Sequence, residues 1–131
     1  MQSNITIALD MMSGDHGVKA SVPAAFSALL AHQDIFLILI GDKSSIEDNI
    51  SDKQKQMFNT RYSIIHTSES INMNDEIVAA IRTKKNSSMR LCINAVKEKA
   101  AHACVSAGNT GALMALSKII LKMIPGIDRP A

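Results

Sequence analysis

The chain has 131 residues, 47% of them hydrophobic and 20% charged, which fits one modest folded domain and excludes disordered and fibrous classes. A formal net charge of +2 with 3% aromatic residues and no Trp argues against nucleic-acid binding, which draws on strong basic charge and stacking rings. With so few rings the core must be aliphatic, and eight Met serve as flexible filler.

The first strand is read at Ile5 to Leu9, a compact apolar run that ends at Asp10. Residues 11–17 form a polar, Gly-containing loop. Val22, Phe26, Leu29 and Leu30 then recur at helical spacing and predict a helix from Ser21 to about Gln33, with Ser21 as cap and Pro23 in the first turn. Ile35 to Ile40 is apolar on both faces, the pattern of a parallel strand covered by helices on both sides. Residues 44–58 read as one or two short polar helices, Tyr62 to Ile65 as a third strand, and Asp75 to Arg82 as a short helix. After a polar loop from Thr83 to Ser88, with Ser87 or Ser88 as the next cap, a helix runs to about Ala100 with Leu91, Ala95 and Val96 inward. Ala103 to Val105 makes a fourth short strand. Asn109 to about Met123 is a helix apolar nearly all round, with only Ser117, Lys118 and Lys122 on a narrow polar strip, which suits a buried position or a subunit interface. Alternating strands and helices predict a parallel sheet in an α/β layer fold. The terminal run Gly126 to Ala131 reads as a chain about to enter another element, so a fragment is expected.

Met1-Gln2-Ser3-Asn4 carries no positive charge before the first apolar run, and no apolar run approaches a membrane span, so a cytoplasmic protein without a signal peptide is expected. Cys92 and Cys104 fit no metal or disulfide spacing and read as buried thiols of a reducing compartment.

Three segments carry polar chemistry. Ser106-Ala107-Gly108-Asn109-Thr110-Gly111 lies between a strand and a helix, where free N–H groups and the helix dipole attract an anion. The same residues also suffice for a tight turn with Asn109 or Thr110 as cap. The run is neither a dinucleotide fingerprint nor a Walker A loop. Asp10, Gly14, Asp15 and His16 follow the first strand and should lie on the same sheet edge as the glycine loop; they offer acid, base or hydrogen-bond roles, or act only as local loop caps. Two Asp and one His match no metal-ligand spacing, so no metal is expected. Arg82-Thr83-Lys84-Lys85-Asn86-Ser87-Ser88-Met89-Arg90 holds four cations in nine residues, which suits either a phosphate or acidic partner or a solvated loop. His32, His66 and His102 stand singly.

Taken together, these segments resemble the PlsX family of phosphate acyltransferases. Ile7-Ala8-Leu9-Asp10 with Gly14-Asp15-His16-Gly17 resembles the family's opening motif, Lys84 to Met89 its central loop, Ser106 to Met114 its glycine loop, and Gly126 to Ala131 the segment after the next helix. Ser13 stands where the family usually has Gly, and Val18 where Pro is common. The resemblance implies that residues 1–131 are the N-terminal part of a single α/β domain. Its fold would be a three-layer αβα, Rossmann-like parallel sheet like that of the isopropylmalate dehydrogenase and phosphotransacetylase groups, incomplete here. It implies transfer of a fatty acyl group from acyl-acyl-carrier protein to inorganic phosphate without cofactor. The acyl phosphate would feed a membrane glycerol-3-phosphate acyltransferase, and the enzyme would be a homodimer, cytoplasmic with a peripheral place at the membrane left open. Ser106, Gly108, Asn109, Thr110 and Gly111 would contact phosphate or the oxyanion. Asp10, Gly14, Asp15 and His16 would shape the same site, His16 moving a proton or donating a hydrogen bond. Lys84, Lys85, Asn86, Ser87 and Arg90 would meet the acidic carrier or the phosphate, and further active-site residues would lie beyond position 131. A phosphotransacetylase-like enzyme using acyl-coenzyme A and a non-catalytic interaction chain are the competing readings.

Overall fold

The computed structural model describes residues 5–130; the leader reading on Met1 to Asn4, and Ala131, lie outside the described residues. Strand β1 (Ile5–Asp10) leads to helix α1 (Val18–Ala31), β2 (Ile35–Gly41), α2 (Lys43–Asp48), α3 (Asp52–Phe58), β3 (Tyr62–His66), α4 (Ile77–Thr83), α5 (Ser88–Lys97), β4 (Ala103–Val105) and α6 (Thr110–Leu121). The four strands form one parallel sheet in the order β3-β2-β1-β4. The chain steps outward from β1 to β3, then crosses back to β4 through α4 and α5. Right-handed crossovers in opposite directions place helices on both sheet faces, so the expected α/β three-layer fold is present.

β2 is central, and five of its seven residues, Leu37 to Gly41, are buried in an unbroken run. Side-chain alternation sends Leu37 and Leu39 into one core and Ile38 and Ile40 into the other. The first core holds Val22, Ala25, Phe26 and Leu29 of α1 with Phe58 and Tyr62. Phe26 sits 5.6 Å from Phe58 and 5.3 Å from Tyr62 between ring centroids, the latter edge-on. The opposite face is covered by Met89, Cys92, Ile93 and Ala95 of α5, with Ala112, Leu116 and Ile120 of α6 beyond.

Several boundaries differ from the sequence reading. α1 begins at Val18, because Gly17 (φ +53°) turns the chain and its carbonyl takes the N–H groups of Ala20 and Ser21. Ser21 is therefore not a cap; its hydroxyl donates to the Met11 carbonyl at 2.7 Å, and Pro23 lies inside the helix. Leu30 points to solvent at 71% exposure, since Val22, Phe26 and Leu29 alone fill the stripe facing the sheet. In α5 the inward set is Met89, Cys92, Ile93 and Ala95, with Leu91 and Val96 only half-buried. α6 buries one face, and Ile119 and Leu121 on the other stay exposed, as does Val105 in the edge strand β4.

Candidate anion site at the carboxyl edge of the sheet

β1 and β4 are parallel neighbours, with Leu9 in register with Val105. The loops that leave them, 11–17 and 106–109, must therefore meet at one edge. They do so through direct bonds. Ser106 donates its hydroxyl to Asp10 Oδ2 at 2.9 Å, and the Ala107 N–H donates to Ser13 Oγ at 2.9 Å. A third segment joins from α5, whose Ser88 hydroxyl donates to Asp10 Oδ1 at 2.5 Å.

Asp10 is the knot of this arrangement. As the last residue of β1, it shares the strand face of Ala8 and so points toward α5 rather than into the open edge. It is 6% exposed and accepts from Ser88, Ser106 and the Met12 N–H (3.2 Å). Burial raises its pKa above the ordinary carboxylate range; the three hydrogen bonds pull the other way and do not cancel it. A carboxylate enclosed by two hydroxyls and an amide ties the loops together at the end of β1.

Asn109 caps α6, its Oδ1 accepting from the Ala112 N–H at 3.1 Å. Its Nδ2 faces the carbonyls of Asn72, Met73 and Asp75 at 3.3 to 3.4 Å, so both ends of the amide are engaged. The residue is buried and fastens the segment between β3 and α4 across the start of α6. Ile77 packs against Gly111 so closely that a β-carbon there would collide with it. Lys84 reinforces the same segment, donating to Asp75 Oδ2 at 2.6 Å and to the Ser70 carbonyl at 2.8 Å. The Lys84 ammonium beside Asp75 holds that carboxyl below its ordinary range.

The other candidate residues separate clearly. Ser87 is the buried N-cap of α5, accepting from the Arg90 N–H, and Arg90 donates to the Ile81 carbonyl. Lys84, Ser87 and Asn109 thus have structural partners where contacts to a ligand were expected. Lys85 and Asn86 are exposed, and the Asn86 carbonyl accepts from Thr67. The Ser106 hydroxyl, besides donating to Asp10, accepts from the Gly108 N–H at 3.2 Å. In the first turn of α6, Ala112 and Leu113 find Asn109, which leaves the N–H groups of Thr110 and Gly111 without a partner among the described residues. They are the open donors of the glycine loop.

Asp15 and His16 are exposed and line a groove of about 440 Å³ with Gly14, whose φ of +89° suits glycine. The groove continues over apolar side chains, with Leu9, Ala24 and Val105 among them. Sequence reasoning missed Ser13 and Ser88, the hydroxyls that bind the three segments together. The Ser87-Ser88 doublet was the available signal, since only one of the pair is needed as a cap. Among the described residues no cluster of three or more His, Cys, Asp or Glu side chains is placed to hold a metal ion, and no helix is long and apolar enough to cross a membrane.

A family profile described as fatty acid synthesis protein matches residues 5–131. A phosphate acyltransferase of Coxiella burnetii is 56% identical over 126 residues, covering 96% of this chain and 37% of that protein. A phosphate acyltransferase of Shewanella baltica is 52% identical over 129 residues, covering 98% of this chain and 37% of that protein. The chain thus spans about 37% of the length of these curated relatives.

Proposed function

The chain belongs to the PlsX phosphate acyltransferase family, described as fatty acid synthesis proteins, and from that premise we propose that it supplies the phosphate-holding part of a site that moves a fatty acyl group from acyl-acyl-carrier protein to inorganic phosphate. The observation that carries the reading is the pair of N–H groups at Thr110 and Gly111, without a partner among the described residues, at the positive end of a twelve-residue helix.

Phosphate needs little activation, because it is already an anion near neutral pH. A phosphate oxygen attacks the thioester carbonyl carbon, the carbonyl oxygen gathers negative charge, and the C–S bond then breaks. The carrier leaves as a thiolate that takes up a proton, and acyl phosphate remains. Such a reaction gains chiefly from placement and from donors aimed at the developing charge. The Thr110 and Gly111 N–H groups and the exposed Thr110 hydroxyl serve phosphate or the oxyanion. His16, exposed beside Asp15 in the lining of the groove, would meet the departing sulfur or the phosphate. Asp10, Ser106, Gly108 and Asn109 hold the loops in register rather than touching the ligand. Lys85 and Arg82, both exposed, suit an acidic carrier surface. The exposed apolar face of α6 suits the interface of a homodimer, and glycerol-3-phosphate acylation at the membrane would consume the product.

The test uses the full-length gene product with palmitoyl-acyl-carrier protein and phosphate, following acyl phosphate and carrier thiol together. Equal amounts of both, appearing only with phosphate, are expected. Turnover of palmitoyl-coenzyme A in preference to the carrier substrate would replace the donor in this reading. No product from folded enzyme with either donor would overturn it.

A further inference from the structure

The Ser13 hydroxyl forms a direct connection between the two loops of the candidate site. It donates to the Asp10 carbonyl at 2.8 Å and accepts the Ala107 N–H at 2.9 Å. The donation back to Asp10 ties the side chain to the end of β1, and the Ser13 N–H also approaches that carbonyl at 3.5 Å. The acceptance from Ala107 ties it to the glycine loop three residues before Thr110. Packing follows the same line, since a β-carbon built on Gly108 would lie 3.4 Å from Ser13 Cβ. A second link between these loops, Ser106 to Asp10, joins the α5-facing side of β1. Two links tie residues 106–108 to the end of β1 and its loop at two points, where either alone leaves that stretch freer to turn.

From this geometry we propose that Ser13 is a positioning residue for phosphate: its hydroxyl sets the direction in which the Thr110 and Gly111 N–H groups point. The proposal rests on the anion-site reading above. Without the hydroxyl, Ala107 turns its N–H to water, and residues 106–108, held only by Ser106 and by the anchored Asn109, shift where the chain enters α6. A displaced pair of donors meets phosphate poorly, and where they serve phosphate rather than the oxyanion the acyl carrier is unaffected. A single neutral hydrogen bond is worth about one kcal/mol, so the expected loss in phosphate affinity is roughly five- to tenfold.

The experiment compares the full-length enzyme with its Ser13→Ala and Ser13→Thr variants in phosphate and acyl-carrier titrations. Ser13→Ala should raise the KM for phosphate about five- to tenfold, with kcat and the KM for the acyl carrier within about twofold. Ser13→Thr, which keeps the hydroxyl, should recover most of the phosphate KM. A phosphate KM unchanged in Ser13→Ala, or a threonine variant as impaired as the alanine one, overturns the proposal while leaving the functional reading intact. If the parent shows no phosphate-dependent turnover, the functional reading falls and the phosphate role of Ser13 falls with it. Amide exchange at Ala107 then still decides the tether: faster exchange in Ser13→Ala supports it and unchanged exchange refutes it.

Discussion

Replacing Asp10 separates its shape from its charge. In Asp10→Ala the Ser88 and Ser106 hydroxyls and the Met12 N–H lose their acceptor. Ser88 is 1% exposed, so water cannot replace the lost partner there. An unsatisfied buried donor costs about 1–3 kcal/mol, and the other two groups are less enclosed, so a loss of about 3 kcal/mol is expected. Asp10→Asn keeps an oxygen for Ser88 and Met12 and presents an amide to Ser106 Oγ. It also removes a charge whose burial outweighs its hydrogen bonds, as the raised pKa shows. Its expected effect is therefore within about 1 kcal/mol of the parent, on the stabilising side. With an m value of about 1.5 kcal/mol/M, the alanine variant should lower the urea midpoint by about 2 M and the asparagine variant should barely move it. The pH dependence carries an independent sign. A carboxyl whose folded pKa lies above its unfolded value binds more protons in the folded state within that window. Stability contributed by Asp10 therefore falls as pH rises through it. Relative to Asp10→Asn, the parent should gain stability as pH drops from 7 toward the ordinary Asp range. The asparagine variant losing as much as alanine, or the parent losing ground on acidification, would refute the reasoning.

Asn109→Ala removes the α6 cap and the contacts to three carbonyls of the 72–75 segment; it should cost about 1–2 kcal/mol by denaturation and speed amide exchange across residues 70–76. Burial pushes both the Cys92 and Cys104 thiols up, so neither should react with a thiol reagent in the native protein at pH 7, whereas both should react in urea. The 131-residue chain exposes Val105 on an edge strand together with Ile119, Leu121, Ile124 and Ile127, and light scattering should show concentration-dependent self-association. A sharp, reversible thermal transition of a monomer would contradict that last expectation.

Much of the fold was legible because the decisive patterns are local. The doubly apolar run Ile35 to Ile40 announced a central parallel strand. Placing Asp10 and Ser106 at the carboxyl ends of parallel strands was enough to put their loops on one edge of the sheet, and the pairing of β1 with β4 brings them into contact. What was not legible depends on how faces are shared in three dimensions. Leu30 fits the helical stripe by spacing, but the sheet below α1 is already filled by Val22, Phe26 and Leu29. Ser21 looked like a cap until Gly17 turned the chain four residues earlier. Asn109 has the chemistry of a phosphate contact, and only the 72–75 segment folding over it shows its amide in use. Lys84 reads as a free cation until Asp75 and the Ser70 carbonyl are seen beside it. Ser88 was signalled only by the Ser87-Ser88 doublet, and the tie made by Ser13 carried no signal, because a lone hydroxyl gains meaning from the partner that another element brings.

The anion site itself is tested most directly at the Thr110 backbone. Thr110 is the first residue of α6, a position where proline fits the helix and lacks only the N–H group. Asn109 before it has φ −57° and ψ 110°, a conformation that tolerates a following proline. The measurement is phosphate-dependent thiol release by the full-length Thr110→Pro enzyme beside Thr110→Ala, with folding checked by thermal melting. The account predicts that proline, which loses both the N–H and the hydroxyl, raises the KM for phosphate at least about tenfold beyond alanine, which loses only the hydroxyl, as the loss of a charge-assisted hydrogen bond requires. A folded proline variant that uses phosphate as well as the parent would contradict the claim that the start of α6 holds the anion.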